Sequence, residues 1–284
     1  MKLQRFLLEG KPAWGIREGD EIRLMTDRWP DLAGALGAGH EALAEAARAP
    51  APTLAIADLA WLPPVESCSK ILCVGLNYGK HVREAGRELP AHPSIFPRYA
   101  DSFVGHGAAA WRPHVSERLD FEAELAVVIG RGGRHIAERD AMSHVGAYTC
   151  MAENSVRDFQ KHSAQVTPGK NFERSGALGP WLVTADEIAD PARLRVRSFL
   201  NGEPMQDGSV SDLIFSIPAL IAYISSFTAL APGDVIATGT PEGVGATRLP
   251  PRFLRDGDVF EVDITGVGRL SHAVMDEPPR REEQ

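Results

Sequence analysis

Asp120-Phe121-Glu122-Ala123-Glu124-Leu125-Ala126-Val127-Val128-Ile129 opens on alternating acids and closes on an unbroken apolar run. Positions two apart on a strand share a face, which puts Asp120, Glu122 and Glu124 on one side. Ala126 and Val128 continue that side, so both faces turn apolar and the segment reads as a buried strand with acids at its mouth. A solvated face opposite a buried one would explain the acids alone. Carboxylates spaced about 7 Å apart at a buried mouth repel each other unless a cation compensates. Oxygen ligands with no His or Cys close by favour Mg2+, with Mn2+ or Ca2+ as alternatives, over a structural zinc.

Outward from that strand, other short apolar runs follow: Ile71–Val74, Gly146–Met151, Trp181–Val183, Val235–Thr238 and Phe260–Ile264. Asn201-Gly202, between Val196–Leu200 and Pro204–Gln206, is a hairpin turn signal. Toward the N-terminus, strands are expected at Leu3–Leu8, Ala13–Ile16 and Glu21–Met25, with a helix over His40–Arg48. Leu62-Pro63-Pro64 marks a boundary, since consecutive prolines continue neither a helix nor a central strand. The expected organisation is a small N-terminal α/β domain over 1–65 and a catalytic domain over 66–284. The fold class is α+β and β-dominated, because the strands mostly do not alternate with helices. Leu213 to Gly233 carries no charged side chain, yet Ser216, Pro218 and Thr228 point to a buried helix started near Pro218 rather than a membrane span.

Composition narrows the function. Lys+Arg 30 against Asp+Glu 38 leaves a net charge of −8, and no basic block is present, which argues against nucleic-acid or anionic-membrane partners. Cys68, Cys73 and Cys150 form no CxxC pair and suit reduced thiols. The first ten residues lack the apolar core of a signal peptide, so a cytoplasmic location is expected.

Three further segments carry potential chemistry. In Gly75-Leu76-Asn77-Tyr78-Gly79-Lys80-His81-Val82-Arg83-Glu84, His81 and Glu84 share a helical face, and a carboxylate there can orient an imidazole as general base. An incidental surface pair is the plainer alternative. Glu153 follows the run Gly146–Met151 and is either a third oxygen ligand or a helix-start acid, with Ser155 as an N-cap. Gly239-Thr240-Pro241-Glu242-Gly243-Val244-Gly245 is either a plain turn or a loop presenting N–H groups and the Thr240 hydroxyl to a carboxylate. Lys170 means nothing in isolation.

In this order, the segments resemble the fumarylacetoacetate hydrolase (FAH) family from about Ile71 to Glu277. The resemblance is carried by Phe121-Glu122-Ala123-Glu124-Leu125, Ser155-Val156-Arg157-Asp158-Phe159-Gln160, Gly169-Lys170-Asn171-Phe172, Ser211–Pro218 and Pro232–Pro241. It implies a mixed β-sandwich roll, a homodimer, and one divalent ion beside a 2-oxo or diketo acid substrate. Glu122 and Glu124 match two metal ligands, and Glu153 stands where the family more often has aspartate. His81 and Glu84 match an acid/base pair on a lid segment. Lys170 matches a lysine beside the enolate, and Gln160 a polar group near the reacting carbon. Gly239 and Thr240 match a carboxylate-binding loop. Tyr78 is expected on the substrate, as is Arg98, which stands where relatives carry lysine. The implied intermediate is an enolate next to a carbonyl polarised by the ion. The retained His81/Glu84 pair favours a hydrolase of acylpyruvate-type substrates, as in aromatic-compound catabolism. The alternative is a 2-oxo acid decarboxylase of oxaloacetate type, a hydratase or an isomerase.

Overall fold

A computed structural model describes residues 1–57, 59–65 and 69–279. Cys68, the start of the expected catalytic domain at residues 66–68, and the end of the polar tail lie outside the described residues. The chain begins with β1 (Lys2–Leu8), β2 (Lys11–Glu18) and β3 (Glu21–Leu24), then α1 (Leu32–Ala38), α2 (His40–Arg48), β4 (Thr53–Ala55) and β5 (Ala60–Trp61). There follow β6 (Ile71–Gly75), α3 (Gly79–Glu84), β7 (Ser94–Arg98), β8 (Phe103–Val104), β9 (Ala110–Arg112), β10 (Leu119–Asp120) and β11 (Ala123–Ile129). Next come β12 (Val145–Ala152), β13 (Ser155–Val156), α4 (Thr167–Lys170), β14 (Gly176–Thr184), β15 (Arg195–Leu200) and β16 (Glu203–Ser209). The chain closes with α5 (Ile217–Phe227), β17 (Val235–Ala237), β18 (Val259–Ile264) and β19 (Gly268–Asp276).

A 12-stranded sheet runs β4-β3-β2-β1-β14-β12-β11-β17-β6-β7, with β5 beside β1 and β8 beside β14. A second sheet runs β16-β15-β18-β19-β9. The architecture is the mixed, β-dominated one expected. The N-terminal strands continue the large sheet, since Lys2 pairs with Val183 and Leu3 with Leu182.

Every residue of β11 is buried, because both of its faces are covered. Leu125, Val127 and Ile129 pack toward Val196, Phe260 and Val262 of the second sheet. Ala126 and Val128 face a second cluster that contains Leu3, Trp14, Leu32 and Leu36 with Ile71, Cys73 and Val235. Two-sided burial is the physical reason for the unbroken apolar run.

The acids do not lie on one continuous strand, however. β10 pairs with β13, Phe121 and Glu122 leave the ladder, and β11 starts only at Ala123. Asp120 turns away from the other two and accepts N–H bonds from Phe121 (2.8 Å), Gly245 (2.7 Å) and Ala246 (3.0 Å). Ser155 is likewise no N-cap. It lies in β13, and the following turn is capped by Asp158, which accepts the Phe159 N–H at 3.0 Å.

Asn201 (φ 53°) and Gly202 (φ 81°) both adopt left-handed backbone between β15 and β16, as an Asn-Gly hairpin turn requires. α5 starts as expected, with Ser216 accepting the Ala219 N–H at 3.3 Å and Pro218 in the first turn. Among the described residues, no helix is long and apolar enough to cross a membrane.

His272 on β19 is buried against Phe260, with ring centroids 5.8 Å apart. Burial lowers its pKa from 6.5 to about 4. The unfolded chain therefore takes up this proton near pH 6.5 and the folded chain only near pH 4. The group's contribution is complete above pH 6.5 and is lost as pH falls toward 4, a loss of about 3 kcal/mol. Denaturant unfolding of wild type and His272→Gln should thus show a stability difference that shifts by about 3 kcal/mol against the wild type between pH 7 and pH 4. Parallel pH profiles would contradict a buried neutral imidazole.

Candidate active site and metal centre

The antiparallel register Ala123↔Ala152 brings the start of β11 beside the end of β12. The Glu153 N–H then donates to the Glu122 carbonyl at 2.9 Å, which sets these two residues side by side. Glu122, Glu124 and Glu153 each offer a carboxylate oxygen within 4.8 Å of the others, and all three are buried. The structure thus brings together the three acids that the sequence offered as ligands.

Cations surround two of them. Lys170, the last residue of α4, places Nζ 2.8 Å from Glu122 Oε2 and 2.6 Å from Glu153 Oε2. Arg157 Nη1 lies 2.7 Å from Glu122 Oε1, while its Nε donates to Asp120 at 2.7 Å. The Ser155 hydroxyl donates to Glu122 Oε1 at 2.9 Å. Burial would raise the Glu122 pKa, but Lys170 and Arg157 outweigh it and hold this carboxyl well below the ordinary range.

Glu124 differs. It accepts the Gly239 N–H at 2.8 Å, and no cation touches it in the described contacts. Burial, then Glu153 and Glu122 beside it, push it well above the ordinary carboxylate range. Asp120, Glu122 and Glu153 pair with the buried cations Arg157, Lys170 and Arg98, so Glu124 is the one acid of the four without a cationic partner among the described residues, a deficit that its raised pKa reflects. A divalent ion among three hard oxygen donors fits that deficit.

His81 and Glu84 lie on α3 as expected, with His81 Nδ1 3.2 Å from Glu84 Oε2. Burial would raise the Glu84 pKa, but hydrogen bonds from His81, Thr247 and Gly243 lower it, so the carboxylate stays ionised. Gly243 N–H reaches the two Glu84 oxygens at 3.0 and 3.2 Å. Lys80 adds an ion pair to Glu242 at 3.3 Å. α3 is therefore fastened to the 239–247 loop.

That loop is itself built in. Gly239 has φ 107°, and a Cβ there would come within 2.8 Å of the Asn77 Cβ. Asn77 Nδ2 donates to the Thr238 carbonyl at 2.8 Å and to the Phe215 carbonyl at 3.0 Å. The Thr240 hydroxyl donates to the Ala123 carbonyl at 2.9 Å and accepts from Gln206 Nε2 at 2.7 Å. Tyr78 is buried, its hydroxyl has no hydrogen-bond partner among the described residues, and burial followed by nearby Glu124 raises its pKa. Gln160 Oε1 accepts from Arg157 at 3.0 Å.

Arg98 is the exception among the expected substrate contacts. Its side chain is 0% exposed and lies behind Glu153, so it is placed to act on a carboxylate rather than on a substrate. Sequence reasoning also assigned nothing to Arg157, Asn77 or Gln206. The first two stand inside segments already singled out, which was the available signal; Gln206 carried none.

Residues 70–275 match the family model described as fumarylacetoacetate (FAA) hydrolase, C-terminal. The chain belongs to the fumarylacetoacetate hydrolase family. It is 41% identical over 242 residues to the Homo sapiens protein named oxaloacetate tautomerase FAHD2A, mitochondrial, covering 84% of this chain and 77% of that one. Identity to oxaloacetate tautomerase YisK of Bacillus subtilis (strain 168) is 43% over 215 residues, covering 74% and 71% of the two chains. Among solved structures of FAH-family proteins, maleylpyruvate hydrolase from Sphingobium sp. SYK-6, in complex with manganese (II) ion and pyruvate, superposes with a TM-score of 0.82. That pair is 30% identical, over 98% of this chain and 100% of the other. Both curated relatives are named as tautomerases, a reaction of the isomerase class that stands as the alternative to hydrolysis in the sequence analysis.

Proposed function

We propose that this FAH-family protein is an oxaloacetate-type keto–enol isomerase that works with a divalent ion held by Glu122, Glu124 and Glu153. The observation that carries the reading is the His81–Glu84 pair, fastened through Glu84 to the Gly243 N–H of the same loop whose Gly239 N–H holds Glu124. Identity above 40% to two proteins named oxaloacetate tautomerases supports the choice of substrate.

Keto–enol exchange moves one proton from carbon to oxygen and needs no second reactant. With its proton on Nδ1 and directed to Glu84, His81 leaves Nε2 free to take the proton on the carbon next to the ketone. Glu84 remains ionised and stabilises the imidazolium that forms. The electron pair released moves into the carbonyl and the charge collects on oxygen, which then takes up a proton from solvent while the imidazolium releases its own, so that the enol is complete and His81 is neutral again. Lys170 holds an ammonium between Glu122 and Glu153, because both carboxylates raise its pKa despite its burial, and this proton-rich group can hydrogen-bond that oxygen. A bound Mg2+ or Mn2+ supplies Lewis-acid stabilisation of the same charge. The expected carboxylate seat at Gly239–Thr240 is corrected in its donors, since the Gly239 N–H is held by Glu124 and the Thr240 hydroxyl by Ala123, which leaves the Thr240 N–H as the loop's candidate donor; Tyr78 and Gln160 are candidate contacts on the rest of the molecule.

A second reading, hydrolysis of an acylpyruvate-type substrate, draws support from the structural likeness to maleylpyruvate hydrolase. Ultraviolet monitoring of enol-to-keto conversion of oxaloacetate, beside acetylpyruvate cleavage, separates them. We expect Mn2+-dependent acceleration of the first, removed by EDTA, and little of the second. Cleavage of acetylpyruvate without any acceleration of oxaloacetate exchange would replace the isomerase by the hydrolase.

A further inference from the structure

A guanidinium carries five N–H groups in a rigid fork: one on Nε and two on each Nη. At Arg98 each has a partner. Nε donates to Ser102 Oγ at 3.2 Å, and Nη2 to Ser175 Oγ at 3.1 Å and the Ser102 carbonyl at 3.4 Å. Nη1 donates to the Asn154 carbonyl at 3.2 Å and to Glu153 Oε1 at 3.4 Å. The ring of Phe103 covers the plane at 4.2 Å. No donor remains for a substrate. Glu153 divides its oxygens accordingly, with Oε1 toward Arg98 and Oε2 toward Lys170 at 2.6 Å.

We propose that Arg98 is a positioning residue that acts through Glu153. It takes Oε1, turns Oε2 toward Glu122 and Glu124, and so makes the third carboxylate a one-oxygen donor to a divalent ion. The guanidinium cannot give up its proton. Glu153 therefore keeps a counter-charge even when the Lys170 ammonium turns to a substrate oxygen. This inference rests on the carboxylate cluster holding an ion.

The test is a double-mutant cycle on the full chain, read as Mn2+ affinity. Free Mn2+ is followed by electron paramagnetic resonance in wild type, Arg98→Met, Glu153→Gln and the double variant. We expect Arg98→Met to weaken Mn2+ binding by about 10–100-fold, the usual range for a group behind a metal ligand. We expect the double variant to bind within about twofold of the poorer single variant, since both changes remove one interaction. The bound-Mn2+ spectrum should change in Arg98→Met, and Arg98→Lys, which restores the charge without the fork, should recover part of the affinity. Should Arg98→Met fail to fold by circular dichroism, Arg98→Lys takes its place in the same cycle. Unchanged Mn2+ affinity in the folded Arg98 variant, or losses that add, would overturn the proposal. So would a rise in KM for oxaloacetate with Mn2+ binding intact, which would make Arg98 a substrate contact. Wild type that takes up no Mn2+ would overturn the ion site itself, and this inference with it.

Discussion

Glu124→Gln is expected to stabilise the ion-free protein while abolishing its uptake of Mn2+ and its activity. The glutamine keeps the size of the side chain and an oxygen for the Gly239 N–H, now 2.8 Å from Glu124 Oε2. What it removes is the charge that burial, Glu153 and Glu122 oppose. That relief should appear as a rise in the melting temperature of the ion-free protein. Wild type has the opposite dependence on metal. With free Mn2+ at a hundred times its Kd, it should gain about 2.7 kcal/mol, a shift the variant lacks. Isomerase turnover should fall by about 10³-fold or more, because stabilising charge on the substrate oxygen is worth several kcal/mol. Thermal unfolding with and without MnCl2, beside the oxaloacetate assay, checks all three. An equal Mn2+-induced rise in wild type and variant would remove Glu124 from the ligand set.

His81→Ala should lower kcat for oxaloacetate keto–enol exchange by about 10²–10⁴-fold, the range for loss of a positioned general base. Mn2+ affinity should hold, because Glu122, Glu124 and Glu153 stand on β11, before it and after β12, not on α3. Decarboxylation of oxaloacetate needs no base in its bond-breaking step and should fall much less. Both reactions can be followed on one sample, by ultraviolet absorbance and by CO2 release. Equal losses in the two would indicate that His81 serves binding or folding and not proton transfer.

The legible part of this protein was its local chemistry. The Glu122–Glu124 pair at the mouth of a doubly buried strand, the His81–Glu84 face, the Asn201-Gly202 turn and the cap of α5 each depend on residues within a few positions of one another. The illegible part depends on long-range pairing. That Asp120 leaves the carboxylate cluster is decided by Gly245 and Ala246, more than a hundred residues on, whose N–H groups claim its oxygens. That Ser155 serves Glu122 follows from the pairing of β10 with β13. The role of Arg98 depends on Ser102, Asn154 and Ser175 closing a cage around it. Gln206 is a sharper case, because it ties β11 to the Thr240 loop from a hairpin whose Asn201-Gly202 turn announces the strands but not this contact.

Leu3, Trp14, Leu32 and Leu36 share one apolar cluster with Ile71, Cys73, Ala126 and Val235, and β1 pairs with the end of β14 at Leu182 and Val183. Detaching the first 65 residues would strip one face of β11's sheet and leave β14 with raw N–H and C=O groups along its edge, a template for aggregation. The same strand face that is apolar at Ala126 and Val128 carries Glu124 at its other end. Loss of the N-terminal cover would therefore reach Glu124 through the strand that holds it. This shared packing couples the N-terminal segment to the large sheet, and a single cooperative unfolding transition for the two is the outcome expected from it.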